Sequence, residues 1–104
     1  MFGFGPKAIT TDQLEQRLKD GAPILLDVRE PDEFAGGHVP GARNVPLARL
    51  PEVAAHLDVE SEVLLICQSG HRSATAARHL ASVGFTDVHS VKGGTSAWRG
   101  KLER

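Results

Sequence analysis

The chain has 104 residues, with 12 basic and 13 acidic side chains and a formal net charge of −1. That length holds one small domain with a buried core, so residues 1–104 are read as a single domain with its core over about residues 8–100. With 40% hydrophobic and 24% charged residues the composition excludes disorder, collagen and coiled coil, no apolar run approaches the roughly 20 residues of a membrane helix, and the balanced charge gives no basis for a nucleic-acid or anionic membrane partner.

Taken in chain order, residues 1–7 contain Phe2 and Phe4 but no basic segment followed by an apolar one, the pattern of a signal peptide. These two rings either face an interface or pack back on the core. Ala8-Ile9 reads as a short edge strand. Thr10 and Gln13 form a T-x-x-Q capping box, with Ile9 and Leu14 placed as a hydrophobic staple. The helix they open carries Leu14 and Leu18 at i, i+4 and stops near Gly21-Ala22-Pro23.

Ile24-Leu25-Leu26-Asp27-Val28 is a continuous apolar run interrupted by one acid, as expected of a strand covered on both faces. Residues 30–46 are rich in Gly and Pro. A stretch this long is either functional or contains a short helix around 32–34, and Asn44-Val45 adds a second edge strand. Pro51 suits the first turn of a helix bearing Val53, Ala54 and Leu57. Val63-Leu64-Leu65-Ile66 is the second buried strand. Residues 72–83 form the clearest helix, with Ala74, Ala77, Leu80 and Ala81 as its apolar stripe and Gly84 beyond its end. Val88-His89-Ser90-Val91 is a third strand, and a short helix over 95–99 follows Gly93-Gly94. Strands alternating with helices define an α/β class, a small parallel β-sheet flanked by helices on both faces. Sites in such sheets form at the carboxyl ends of the strands.

Cys67 is the sole cysteine, so no intramolecular disulfide forms. The five His show no HExxH spacing and no tight cluster, so no metal site is expected. An unpaired thiol in a chain without an export signal points to a reducing, cytoplasmic setting. A lone Cys at the end of a buried strand is commonly a small core residue. Here its neighbours argue for more. Gln68, Ser69, Gly70, His71, Arg72 and Ser73 follow it and lead into the Ala-rich helix. Backbone amides at a helix start lack partners and the helix dipole is positive there, so a loop curling over that end makes an anion cradle. Gly70 permits a backbone closed to other residues, and Arg72 adds a planar, permanently charged donor fork. A thiol in such a cradle is held as thiolate.

Cys67-Gln68-Ser69-Gly70-His71-Arg72-Ser73 resembles the active-site loop of single-domain rhodaneses, C-x-x-G-x-R-S. The upstream stretch Leu26-Asp27-Val28-Arg29-Glu30, Glu33-Phe34, Gly37-His38-Val39-Pro40-Gly41-Ala42 and Asn44-Val45-Pro46 is similar to that family's first signature. Val91-Lys92-Gly93-Gly94 with Trp98 is similar to its last. Three motifs in the right order carry the resemblance over nearly the whole chain. It implies a rhodanese-like fold and a thiosulfate-type sulfurtransferase. Cys67 would take the outer sulfur of thiosulfate or a related donor as a persulfide and pass it to a cyanide, thiol or protein acceptor, without metal or organic cofactor. The alternative within the same fold is a sulfur-carrier or protein-binding module with little turnover of its own.

Phosphatases of related fold use C-x5-R, whereas here four residues separate Cys67 from Arg72 and the next position is Ser73. The smaller ring suits one sulfur atom better than a phosphate. Arsenate reduction commonly recruits further cysteines, which are absent. Cys67 and Arg72 are therefore the expected catalytic pair, with Gln68, Ser69, Gly70, His71 and Ser73 around the substrate. Ser69 is a candidate hydroxyl donor, His71 an entrance or specificity residue, and Ser73 a helix cap as much as a functional group. Arg29 either holds the donor's sulfonate or pairs with Glu30 or Glu33. Asp27 is read as a structural acid bonded to loop amides or an Arg rather than a reacting one, and His38 as ordering its loop through ring hydrogen bonds. Phe34 and Trp98 are expected in the core, and Arg78, Lys101, Glu103 and Arg104 on the solvated surface.

Overall fold

The computed structural model describes residues 6–104, so Phe2 and Phe4 lie outside the described residues. Five strands, β1 (Lys7–Ile9), β2 (Ile24–Asp27), β3 (Arg43–Asn44), β4 (Glu62–Ile66) and β5 (Asp87–Val91), form one sheet in the order β1-β5-β4-β2-β3. Every pairing is parallel. Among the described residues five α-helices join or follow them: α1 (Thr11–Asp20), α2 (Pro31–Ala35), α3 (Leu50–Ala54), α4 (His71–Ser82) and α5 (Gly94–Ala97). This is the α/β arrangement that the alternating pattern implies.

Side chains alternate across the strands and divide the interior in two. On one face Leu26, Val63, Leu65, Cys67 and Val88 meet Leu50 and Ala54 of α3 and Ala76, Ala77 and Leu80 of α4. On the other, Ile9, Leu25, Leu64, Ile66 and Val91 meet Leu14 of α1. The T-x-x-Q box forms as read: the Thr10 hydroxyl accepts from the Gln13 amide at 3.1 Å and Gln13 Oε1 accepts from the Thr10 amide at 2.8 Å. Gly84, at φ 106°, follows α4 as the left-handed residue that ends it.

Three local expectations need correction. The last helix closes at Ala97, because Trp98 is already extended at φ −69°, ψ 128°. Trp98 lies at the margin of the second core, with its indole N–H donating to the Lys101 carbonyl at 3.1 Å. Phe34 is half-buried and stacks on His38 at a centroid distance of 3.7 Å instead of entering the core. Glu103 has an exposed side chain, yet its backbone exchanges two 2.8 Å hydrogen bonds with His38 and so ties the C-terminal segment to the 30–46 connection. That connection contains both α2 and β3.

Leu65 sits at the centre of the sheet with no exposed surface. Leu65→Ala should lower stability by about 2–5 kcal/mol, read as a reduced urea midpoint. The same truncation at Val83, which is 51% exposed, should change it by less than about 0.5 kcal/mol. Equal losses at the two positions would contradict this placement of the core.

Candidate active site

Cys67 is the first residue beyond β4, at the sheet's carboxyl edge, and is 1% exposed. Gly70 caps α4 in the left-handed region, at φ 109°, ψ −12°. That conformation turns the chain back over the strand end and aims amides inward. The Gly70 amide donates to Cys67 Sγ at 3.1 Å and the Ser73 amide at 3.3 Å. The Ser73 hydroxyl stands 3.6 Å from Sγ, 2.8 Å from the Ser90 hydroxyl and 3.2 Å from the Gly70 carbonyl. Ser73 is thus not the cap of α4 but a residue of its first turn. Burial pushes the Cys67 thiol up, but the Ser73 hydroxyl and the amides of Ser73, Gly70 and Ser69 together outweigh it and hold the thiol below its ordinary value.

Arg72 does not reach the sulfur through a hydrogen bond. Its guanidinium grips Glu33 with two bonds of 2.7 and 2.9 Å. Glu33 also accepts the Glu30 amide at 2.9 Å, closing the first turn of α2. The Arg72 side chain and that amide lower the Glu33 carboxyl to about 2. Its charge, and the stabilisation that comes with it, is therefore full above the ordinary 4.5 and is lost as pH falls toward 2. At one-third exposure the pair contributes at most about 1 kcal/mol. Its structural effect is to tie the catalytic loop to α2.

Arg29 is 3% exposed, and its partner is neither Glu30 nor Glu33. Its Nε and one terminal nitrogen bind the fully buried Asp27 carboxylate at 2.8–3.2 Å, and that nitrogen also donates to the Gly37 carbonyl at 2.8 Å. The other terminal nitrogen donates to Gln68 Oε1 at 3.2 Å. A guanidinium so engaged braces the loop and is not open to a donor's sulfonate. Asp27 is its buried counter-charge and also accepts the Arg29 amide at 3.0 Å. His38 Nδ1 lies 2.9 Å from the Phe34 carbonyl, ordering the turn after α2. Gln68 binds Arg29 on one side and Ser96 Oγ at 2.8 Å on the other, so its side chain is part of the frame. Ser69 and His71 are exposed at the loop's rim.

The sequence reading missed Gly94, Thr95 and Ser90. The Thr95 amide donates to the Cys67 carbonyl at 2.9 Å and the Ser96 amide to the Gln68 carbonyl at 3.0 Å, so the turn after β5 clamps the catalytic loop from behind. A Cβ on Gly94, at φ 58°, would stand 2.3 Å from the Cys67 carbonyl oxygen. The Gly93-Gly94 pair was visible in the sequence, but what it approaches was not. Ser90 was legible only as a polar residue inside an apolar strand.

One acidic group was also unforeseen. Glu62, Asp87 and His89 bring ligand atoms within 4.8 Å of one another at the amino ends of β4 and β5, away from Cys67. Arg17 bonds Glu62, and His89 Nε2 lies 2.7 Å from Asp87, so both carboxylates already have side-chain partners.

A fold with a lone thiol cradled by amides after the fourth strand defines a class, and comparison with known proteins agrees with it. The rhodanese-like domain model matches residues 10–101, and the chain belongs to that family. It is 39% identical over 94 residues to the thiosulfate sulfurtransferase GlpE of Pseudomonas putida, covering 89% of this chain and 84% of that one. It is 44% identical over 79 residues to the uncharacterized protein YqhL of Bacillus subtilis, of whose length the match spans 63%. The crystal structure of a rhodanese-like domain protein from Staphylococcus aureus superposes with a TM-score of 0.83 at 33% identity, over 93% of this chain and 96% of that one. At the level of the family, this is a rhodanese-type sulfurtransferase.

Two measurements test the site. The pH midpoint of Cys67 alkylation by iodoacetamide should lie below that of a free cysteine, and Ser73→Ala should move it upward. An unmoved midpoint would remove the hydroxyl from the cradle. Gly94→Ala should cost about 2 kcal/mol or more through the backbone clash, read by chemical denaturation. A neutral effect would show that the clamp is not tight.

Proposed function

We propose that Cys67 carries sulfane sulfur between a small donor such as thiosulfate and a nucleophilic acceptor. The thiolate attacks the outer sulfur of thiosulfate. A bond forms between the two sulfurs, the bond to the sulfonate sulfur breaks, and sulfite leaves with the electron pair. The resulting persulfide is an anion at its terminal sulfur, and the amides of the 69–73 loop stabilise it without reorganising. An acceptor thiolate or cyanide then attacks that terminal sulfur, and the electron pair returns to Cys67. The two steps share one enzyme form and predict ping-pong kinetics.

The observation that carries this reading is the pair of amide donors on Sγ at 3.1 and 3.3 Å beside a buried hydroxyl. With Cys67 only 1% exposed, the site favours a donor that enters end-on through a single sulfur atom. Arg72 contributes a charge already shared with Glu33 and, more directly, holds the loop against α2. Ser69 and His71 stand at the entrance. The chemistry uses groups of this chain alone, within one domain whose core spans about residues 8–100. Among the described residues no helix is long and apolar enough to cross a membrane, and the unpaired thiol suits a reducing setting such as the cytoplasm.

Incubation with thiosulfate should add the mass of one sulfur atom to the protein, and cyanide should remove it as thiocyanate. Cys67→Ser should abolish both. Persulfide formed without turnover would make the chain a sulfur carrier, and no added mass would overturn the proposal.

A further inference from the structure

A cleft of about 570 Å³ opens beside the catalytic loop, between edge strand β1 and helix α4. It is far larger than one sulfur atom needs and falls in the range of small-molecule sites. Gly70 and Ser90 form part of its wall. Gly70 donates directly to Cys67 Sγ, and Ser90 is joined to it through Ser73. Gly70 and Ser90 are thus common to the cleft wall and to the hydrogen-bond network around the sulfur.

Its charge is one-sided. Lys7 from β1, Arg78 from α4 and Lys92 from the turn after β5 line it, with the imidazole of His71 at its rim. No acidic residue lines it, and among the described residues none of the three cations is in an ion pair. Among the described residues the Arg78 side chain bonds only the Thr75 hydroxyl, at 3.2 Å. The chain as a whole has a net charge of −1, so this concentration of positive charge is local. His71, Ala74 and Arg78 lie at i, i+3, i+7 and share one face of α4. Parallel pairing of β1 with β5 sets Lys7 beside His89 and brings the chain past Ile9 to Lys92, whose amide donates to the Ile9 carbonyl at 2.8 Å. Three separate elements thus supply the three cations, an arrangement that suits several spaced anionic groups better than one compact ion.

Resting on the sulfur-transfer reading above, we propose that this cleft binds the acceptor and selects a small thiol bearing more than one carboxylate. The chemistry requires such help. The acceptor arrives as a thiolate and attacks a persulfide that is itself an anion. Its sulfur bonds the terminal sulfur, the Cys67–sulfur bond breaks, and the electron pair remains on Cys67 as thiolate. The cationic wall offsets the repulsion between the two reactants and gathers carboxylates at the mouth of the loop.

The test loads Cys67 with thiosulfate, confirms the added sulfur by intact mass, and follows its removal by mercaptosuccinate and by 2-mercaptoethanol, which carries no carboxylate. Lys7→Glu with Lys92→Glu should slow removal by mercaptosuccinate about tenfold or more and leave removal by 2-mercaptoethanol within about twofold. Arg78→Glu alone should act in the same direction, which covers a double variant that folds poorly. In the unaltered protein, raising salt toward 1 M should slow the dicarboxylate selectively. Equal responses of the two thiols, or none, would overturn the acceptor cleft while leaving sulfur loading intact. Failure to load sulfur at all would instead overturn the sulfur-transfer reading, and the cleft's role would fall with it.

Discussion

The site depends on the convergence of two backbone N–H groups on one buried sulfur. A thiolate at 1% exposure would be unfavourable without compensation, because burial disfavours the charged form. Here the compensation comes from oriented amide dipoles and a serine hydroxyl rather than from a formal cation in contact. Arg72 stands next in sequence to this arrangement, but Glu33 takes both of its bonds to carboxylate. The practical consequence is a small, directional cradle whose strength is fixed by loop shape, with side-chain charge in a secondary part.

Loop shape is in turn imposed from three sides. Gly70 bends the chain where no other residue fits comfortably. Gly94 lets the turn after β5 approach the Cys67 carbonyl at backbone distance. Arg29, neutralised by Asp27, reaches under the loop to Gln68 and across to Gly37. A buried ion pair is a weak source of stability by itself. Its effect here is to join β2, the turn after α2 and the catalytic loop at fixed spacing. Such bracing suits preorganised electrostatics, which lose their effect if the dipoles must move during reaction.

Much of this was legible in the sequence. Capping chemistry placed α1, apolar continuity placed β2 and β4, and the strand–Cys–loop–helix order placed the cradle at a carboxyl edge. Partnerships between side chains were less legible. Glu30 or Glu33 was the expected partner of Arg29, yet Glu33 pairs with Arg72 from a distant helix, because Arg29 turns inward to the buried Asp27 carboxylate. Helix limits at Trp98 and the capping role of Ser73 were misjudged because local propensity does not report the tertiary bonds that end or open a helix. The long-range contacts of Gly94 and Ser90 join segments more than twenty residues from Cys67, beyond the reach of any periodic pattern.

A structure of the thiosulfate-treated protein would test the central claim most directly. The account predicts a second sulfur bonded to Cys67 Sγ, lying inside the loop at hydrogen-bonding distance from the amides of residues 69–73. A sulfur directed away from those amides, or a loop rearranged so that its N–H groups face solvent, would contradict it.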